Sequence, residues 1–245
     1  MACDIRALEE RAFSGWPALH SASFGGWVFR ASDGCTKRAN SANALAPSET
    51  FDTVEREARR FYDARGLPTI FRLSPLAPPD CDRMLAERGY MRLDESIVMV
   101  APIEDIAAPP SVEIAVAPSV AWLDGLAAAN AIPAILRDAH HRIVRSIRHP
   151  AAFATVHDRG APAGYGLAVC ERGMIGLFDI VISPAARGKG LGKAIVQALM
   201  GWGGRRGAAS AYLQVTAANA RARSLYEGLG FGEAYRYHYR ISPAP

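Results

Sequence analysis

The chain has 245 residues, half of them hydrophobic, and carries 28 Lys and Arg against 24 Asp and Glu for a formal net charge of +4. That is room for one large or two small cored domains; no run reaches the roughly 18 apolar residues of a membrane span, and residues 1–6 lack a signal-peptide pattern. Cys3, Cys35, Cys81 and Cys170 form no C-x-x-C pair, which argues against zinc or a disulfide framework and for a reduced, cytoplasmic protein, while the modest, dispersed charge argues against a nucleic-acid partner.

Gly26-Trp27-Val28-Phe29-Arg30 and Cys35-Thr36-Lys37-Arg38 flank Ser32-Asp33-Gly34, the pattern of a hairpin. A helix over 53–65, a strand over 67–73, a helix ending at Arg88-Gly89-Tyr90 and a strand over 96–100 complete this half. Ala107-Ala108-Pro109-Pro110 is the clearest linker. The expected division is therefore an N-terminal α+β domain over 1–106, a linker over 107–111 and a second domain over 112–245. The second half predicts a strand over 112–116, helices over 118–130 and 133–147, and a hairpin (152–157 and 164–170) turning at Asp158-Arg159-Gly160. Arg172-Gly173 then turns the chain into a long strand over 174–182. A helix, a strand over 211–215, a helix over 219–229 and a closing strand over 234–241 follow. This order predicts an α/β fold with a mixed sheet.

Between the 174–182 strand and the next helix lies Ser183-Pro184-Ala185-Ala186-Arg187-Gly188-Lys189-Gly190-Leu191-Gly192-Lys193. Glycines let backbone N–H groups turn inward, and the opening helix adds unsatisfied donors and a positive dipole end. The loop thus suits a phosphate or pyrophosphate. A Walker loop is excluded, because Arg187 stands where its first glycine belongs and Ala194 follows Gly192-Lys193. G-x-G-x-G, late in the chain, does not match the dinucleotide fingerprint either.

Arg187-x-x-Gly190-x-Gly192 after Val-Ile-Ser-Pro resembles the acetyl-CoA pyrophosphate loop of the GNAT superfamily of N-acetyltransferases. Downstream, the run from Asn219 through Ser224-Leu225-Tyr226 to Gly230-Phe231 is similar to that superfamily's second signature. Asn219 is a good N-cap, and Tyr226 lies two helical turns on, so both can face one groove. The resemblance implies a mixed, mostly antiparallel central sheet flanked by helices, preceded here by the smaller α+β domain. It implies acetyl-CoA as co-substrate, without a metal, and transfer of the acetyl group to a primary amine of a small molecule or peptide by direct attack in a ternary complex. Donor-site residues implied are Ile180, Val181 and Ile182 on the strand, and Arg187, Gly188, Lys189, Gly190, Leu191, Gly192 and Lys193 in the cradle. Asn219 would contact the pantetheine arm, and Tyr226 would protonate the departing sulfur; taken singly, Tyr226 also reads as a core aromatic. The alternative function is a non-catalytic acyl-CoA sensor, and a homodimer is compatible with either.

Gly66 to Gly89 spans 23 positions, as does Gly207 to Gly230, with similar elements between them. No counterpart of the basic cradle precedes the 53–65 helix, where Pro47-Ser48-Glu49 stands instead. The first half therefore reads as a degenerate GNAT-like copy that binds no CoA, or as an unrelated α+β extension.

An amine of pKa ~10 must lose a proton before it attacks. A carboxylate or a water chain would take it: Asp179 is the nearest acidic candidate, equally readable as a structural hydrogen bond or charge pair, and Glu171 is second. The acceptor side offers Arg137, His140, His141, Arg142, Arg145 and Arg148 on a helix whose apolar stripe is Ile132, Ile135, Ala139, Ile143 and Ile147, so the basic residues belong mostly to a solvated face. Tyr235, Tyr237, His238 and Tyr239 could line an aromatic pocket or pack in the sheet. Asn40, Ser41 and Asn43 could reach across from the other half.

Overall fold

Two pairs of consecutive left-handed residues set the longest hairpins: Arg159 and Gly160 (φ 52° and 82°), and Arg172 and Gly173 (φ 45° and 75°). Such turns match the twist of the strands they join, here β7 (Ala151–Asp158), β8 (Ala161–Glu171) and β9 (Met174–Ile182). The computed structural model describes residues 4–103 and 111–243, so residues 107–110 of the expected linker lie outside it. Before them come α1 (Ile5–Gly15), the hairpin β1 (His20–Phe24) and β2 (Trp27–Ala31), then β3 (Ala42–Ala44) and α2 (Phe51–Asp63). β4 (Ile70–Leu73), α3 (Cys81–Glu87) and β5 (Met91–Pro102) follow. After the linker come β6 (Val112–Ala115), α4 (Val120–Ala129), α5 (Arg137–Arg145) and the β7–β9 meander. α6 (Leu191–Gly204), β10 (Ser210–Thr216), α7 (Ala220–Glu227) and β11 (Gly232–Ile241) complete the chain.

Among the described residues eleven strands join one sheet in the order β1-β2-β3-β4-β11-β5-β10-β9-β8-β7-β6. The order is nearly symmetric about the antiparallel β11–β5 pair. On one side β11 bonds antiparallel to β4, which runs parallel to β3; on the other β5 bonds antiparallel to β10, which runs parallel to β9. The last strand of each half thus pairs with the other half. Helix ends repeat as well. Gly66, Gly89, Gly207 and Gly230 are all left-handed (φ 63°, 79°, 78° and 84°). After each, an N–H reaches back five residues: Leu67 to Tyr62, Tyr90 to Leu85, Ala208 to Gly203, and Phe231 to Tyr226. This is the Schellman closure, which satisfies the last helical carbonyls. The fold is the expected mixed, mostly antiparallel sheet flanked by helices.

Period-two alternation assigns the faces. On β10, Tyr212 joins α1, α4 and α5 on one face, while Ala211, Leu213 and Val215 join α6 and α7 on the other. Trp16, Leu123, Leu126 and Ile143 are fully buried on the first face, and Ile195, Val196 and Leu199 on the second. A third core, with Trp27, Phe51, Tyr62 and Phe71, lies in the N-terminal half.

Three local expectations need correction. The first hairpin turns at Gly25-Gly26, not at Ser32-Asp33-Gly34, and Cys35–Arg38 is not a strand. Asn40 holds that segment as a loop, its side chain accepting from Ser32 N (2.7 Å) and Gly34 N (3.1 Å) and donating to the Cys35 and Thr36 carbonyls. Ile135 is 88% exposed, because Pro133 delays α5 until Arg137 and leaves it in a preceding short turn. His140, expected on the solvated face, is fully buried. α1 has no counterpart among the expected elements; its buried residues include Glu9 beside Leu8 and Ala12, which breaks the apolar pattern.

A chain beginning at residue 111 keeps the cradle but loses β5 and opens edges on β10 and β11. It is expected to aggregate or to melt without cooperativity; a soluble fragment with a single sharp thermal transition would refute this. At the other end of the seam, Asp82 accepts from Arg240 Nε (2.8 Å) and His238 Nε2 (2.6 Å), joining α3 to β11. The Arg240 bond, opposed by partial burial and aided by His238, holds this carboxyl down at about 2, from 3.8. The stability this pair adds is present above the ordinary carboxylate range and is lost as pH falls toward about 2. The difference in urea midpoint between the native chain and Asp82→Asn should therefore narrow as pH drops from about 4 to about 2.

Candidate active site

β9 and β10 run side by side only from Met174–Leu177 opposite Ser210–Leu213. Beyond that both continue without mutual pairing, so a wedge opens between Ile180–Ile182 and Gln214–Thr216. A bulge sits at its base. Leu167 pairs with Phe178 but Tyr165 pairs with Val181, so Asp179 and Ile180 together face Gly166. Asp179 takes a left-handed φ of 49°, a strained conformation for a residue with a side chain. Bulges re-aim side chains, and this one directs Asp179 into the wedge. Gly166 makes room for it, since a Cβ there would lie 2.5 Å from Ile180 Cδ1 and 2.9 Å from Ile195 Cγ2.

After β9 the chain makes a short turn over Pro184–Ala186 and enters α6 through Gly190, whose φ is 76° and which offers no side-chain cap. The first N–H groups of α6 are thus left for an anion. Gly188 is also left-handed, at 84°. Gly192 is ordinary helix, and its role is space: a Cβ would meet Leu225 Cδ1 at 3.2 Å. Arg187 folds back, its Nε donating to Ile182 O at 3.1 Å.

These parts enclose a cavity of about 520 Å³. Its walls are Ile180, Val181 and Ile182 on one side and Arg187, Gly188, Gly190, Leu191 and Gly192 on another, with Asn219 and Tyr226 opposite. Lys189 and Lys193, expected here, do not line it; Lys189 pairs with Asp158, and Lys193 is exposed. Sequence reading missed Arg221, which reaches over the loop, its Nη2 3.9 Å from a Cβ at Gly188. Its place two residues after the Asn219 cap was the available signal. Asn219 caps α7, its side chain accepting from Ala222 N at 3.1 Å. Tyr226 is 9% exposed, and burial pushes its phenol up to about 12.

A second cavity of about 420 Å³ adjoins the first, sharing Asn130, Ile180, Asn219, Ala222 and Tyr226 with it. Its floor is Tyr237 and Tyr239 from β11, with Asp94 and Ser96 from β5 and Thr36, Lys37 and Arg38 from the N-terminal loop. Asp179 faces it with both oxygens engaged, by Arg38 Nη2 at 2.8 Å and by His140 Nε2 at 3.3 Å. Burial raises its carboxyl, but the His140 hydrogen bond and the Arg38 charge outweigh that and lower it below the ordinary range. Lys37 pairs with Asp94 at 2.5 Å. Glu171, the second acid considered, lies away from both cavities and pairs with Arg172 at 2.7 Å. Arg142 pairs with Asp33 at 3.2 Å, outside them. Asn40, Ser41 and Asn43 are buried and do not line the cavity; their neighbours Thr36, Lys37 and Arg38 do. Among the described residues no group of three His, Cys, Asp or Glu gathers to hold a metal, and no helix is long and apolar enough to cross a membrane.

Solved structures of GNAT acetyltransferases share this fold. A GCN5-related N-acetyltransferase from Kribbella flavida superposes with a TM-score of 0.73 at 17% identity, over 100% of this chain and 98% of that one. A tandem GNAT protein from the clavulanic acid biosynthesis pathway gives 0.63 at 14% identity, over 99% and 89%. An uncharacterized N-acetyltransferase, YobR, of Bacillus subtilis is 32% identical over 244 residues, covering 97% of this chain and 98% of its own. The family model described as "Probable histone acetyltransferase Rv0428c C-terminal" matches residues 2–240. The chain belongs to that family and is an acetyltransferase.

Gly192→Leu should fill the wedge between α6 and α7 and weaken CoA binding by at least about tenfold, with the thermal midpoint little changed. Gly190→Ala strains a left-handed residue by about 1–2 kcal/mol but points into open space, so it should lower stability more than affinity. Calorimetry and thermal melts on both variants separate the two roles; equal CoA affinity in native and Gly192→Leu protein would remove Gly192 from the donor site.

Proposed function

We propose that the protein moves the acetyl group of acetyl-CoA to a primary amine of a small molecule by direct attack in a ternary complex. The observation that carries this reading is the junction of the two cavities at Ile180, Asn219 and Tyr226. The pyrophosphate would lie on the N–H groups of residues 187–192, with Arg187 and Arg221 beside it. The pantetheine would run along Ile180–Ile182, whose backbone N–H groups polarise the thioester carbonyl, with Asn219 against the arm. The acceptor would enter over Tyr237 and Tyr239. The N-terminal segment, 1–106, acts in this reading as a copy without a donor site, which supplies one wall of the acceptor cavity. One acetyl-CoA per chain is the stoichiometry it requires.

The nitrogen lone pair adds to the thioester carbon, the C–S bond breaks, and the proton shed by nitrogen ends on sulfur. Tyr226 stands where it can pass that proton. At about 12 its phenol is a weaker acid than a thiol of pKa ~8.5, so it does not give up its proton ahead of bond cleavage. It donates a hydrogen bond to the developing thiolate and hands its proton to sulfur only as the proton from nitrogen reaches its own oxygen, so the phenol ends neutral. Asp179 stays ionised beside Arg38 and holds a proton poorly, so its part is to orient the acceptor ammonium, whose surplus proton leaves to water.

Tyr226→Phe is expected to lower kcat by about 10²–10⁴-fold while acetyl-CoA affinity stays nearly intact. Steady-state kinetics with calorimetry checks this. Unchanged kcat where chemistry limits turnover would make Tyr226 a packing residue.

A further inference from the structure

Behind the acceptor cavity, three arginines converge from separate elements: Arg30 on β2, Arg38 after it and Arg72 on β4. With Gln214, Ala12 and Phe13 they surround a small cavity of about 10 Å³, room for one water. Arg38 and Gln214 also line the acceptor cavity, so the two spaces share a wall.

The charges there do not balance. Arg72 is 3% exposed and pairs with buried Glu9, which also accepts from Tyr235 Oη. Arg38 pairs with Asp179. Arg30 is 4% exposed, and among the described residues its side chain donates to the carbonyls of Phe13, Trp16 and Arg38. Among the described residues three guanidinium groups therefore face two carboxylates, and one positive charge is uncompensated. Burial, then the charge of Arg72, lowers the Arg30 guanidinium to about 10, as expected of a cation lacking a partner. Nε and Nη2 of Arg72 are buried without a hydrogen-bond acceptor. Arg38 makes one side-chain hydrogen bond among the described residues, to Asp179. Its plane lies over Trp16 at 4.9 Å, which fixes the fork. An arginine fork held in this way suits a carboxylate.

We propose that the acceptor is a small amine that also bears a carboxylate, whose anionic end is taken by Arg38 on the inner wall of the acceptor cavity; this rests on the acetyltransferase reading above. The buried surplus from Arg30 and Arg72 lies behind that wall and favours an anion there. Asp179 places negative charge beside Ile180, at the junction with the donor cavity, and suits the ammonium end. The dipole of such an acceptor thus runs from Asp179 toward the arginines. A basic peptide presenting a lysine side chain meets the same surplus as repulsion.

The test is acetylation by the full chain, read as CoA release, on proteinogenic amino acids as free acids and as their carboxamides, with a lysine-containing basic peptide as a further arm. The acid of at least one pair should show a KM about tenfold or more below its amide, the loss expected for a charge-assisted bond. In Arg38→Gln that gap should collapse, and Arg38→Lys should restore part of it. If Arg38→Gln does not fold, the acid–amide gap in the native chain decides alone. Equal use of acids and amides, faster acetylation of the peptide, or no turnover and no binding of any acid while acetyl-CoA binds normally, each overturns the proposal. Failure of acetyl-CoA itself to bind, measured by calorimetry, instead counts against the donor-site reading.

Discussion

Backbone pairing between β5 and β11 is the constraint on which the rest depends. It places the last strand of each half against the other half, so neither half has a complete set of strand neighbours alone. It also builds the second cavity, the acceptor side in the proposed function. Asp94 and Ser96 come from one member of the pair, and Tyr237 and Tyr239 from the other. The first half contributes its loop at Thr36–Arg38 to the same space. A half without a cradle therefore still lines the second cavity.

A second device is the bulge in β9. One extra residue ends the useful pairing with β10, turns Asp179 toward the acceptor space and leaves Ile180 at the junction. A left-handed non-glycine residue in mid-strand is unfavourable. It persists here because β8 holds both flanks, and because Arg38 and His140 hold the side chain. The strain is local, and it coincides with the place where the two cavities meet.

Much of the glycine-lined cavity was legible because it is written in contiguous residues. Gly188, Gly190 and Gly192 mark one loop, and the Asn219 cap fixes the helix that brings Tyr226 into the groove. Backbone geometry demands those residue types, so the motif and the structure coincide. Lys189 and Lys193 fell outside because a basic residue in such a loop has several directions to point, and sequence does not choose among them. The acceptor side was far less legible. Arg38 and Asp179 are 141 positions apart and meet only through the shared sheet. Cys35–Arg38 has the residue types of a strand, but Asn40 ties it into a loop by four hydrogen bonds. His140 looked like part of a basic surface because its buried partner lies on another element. The repeat was visible in the glycine spacing, since each helix end needs a left-handed residue; the exchange of strands between the halves has no such local mark.

The position of β11 bears on how the chain reaches this shape. It is synthesised after the ten other strands, yet it bonds between β4 and β5, in the interior of the sheet. Until it arrives, both of those strands present open edges, and open edges invite pairing with other chains. Long-range pairings of this kind also slow folding. An unfinished chain is thus most exposed to mispairing just before β11 emerges, which is when shielding of open edges would matter most.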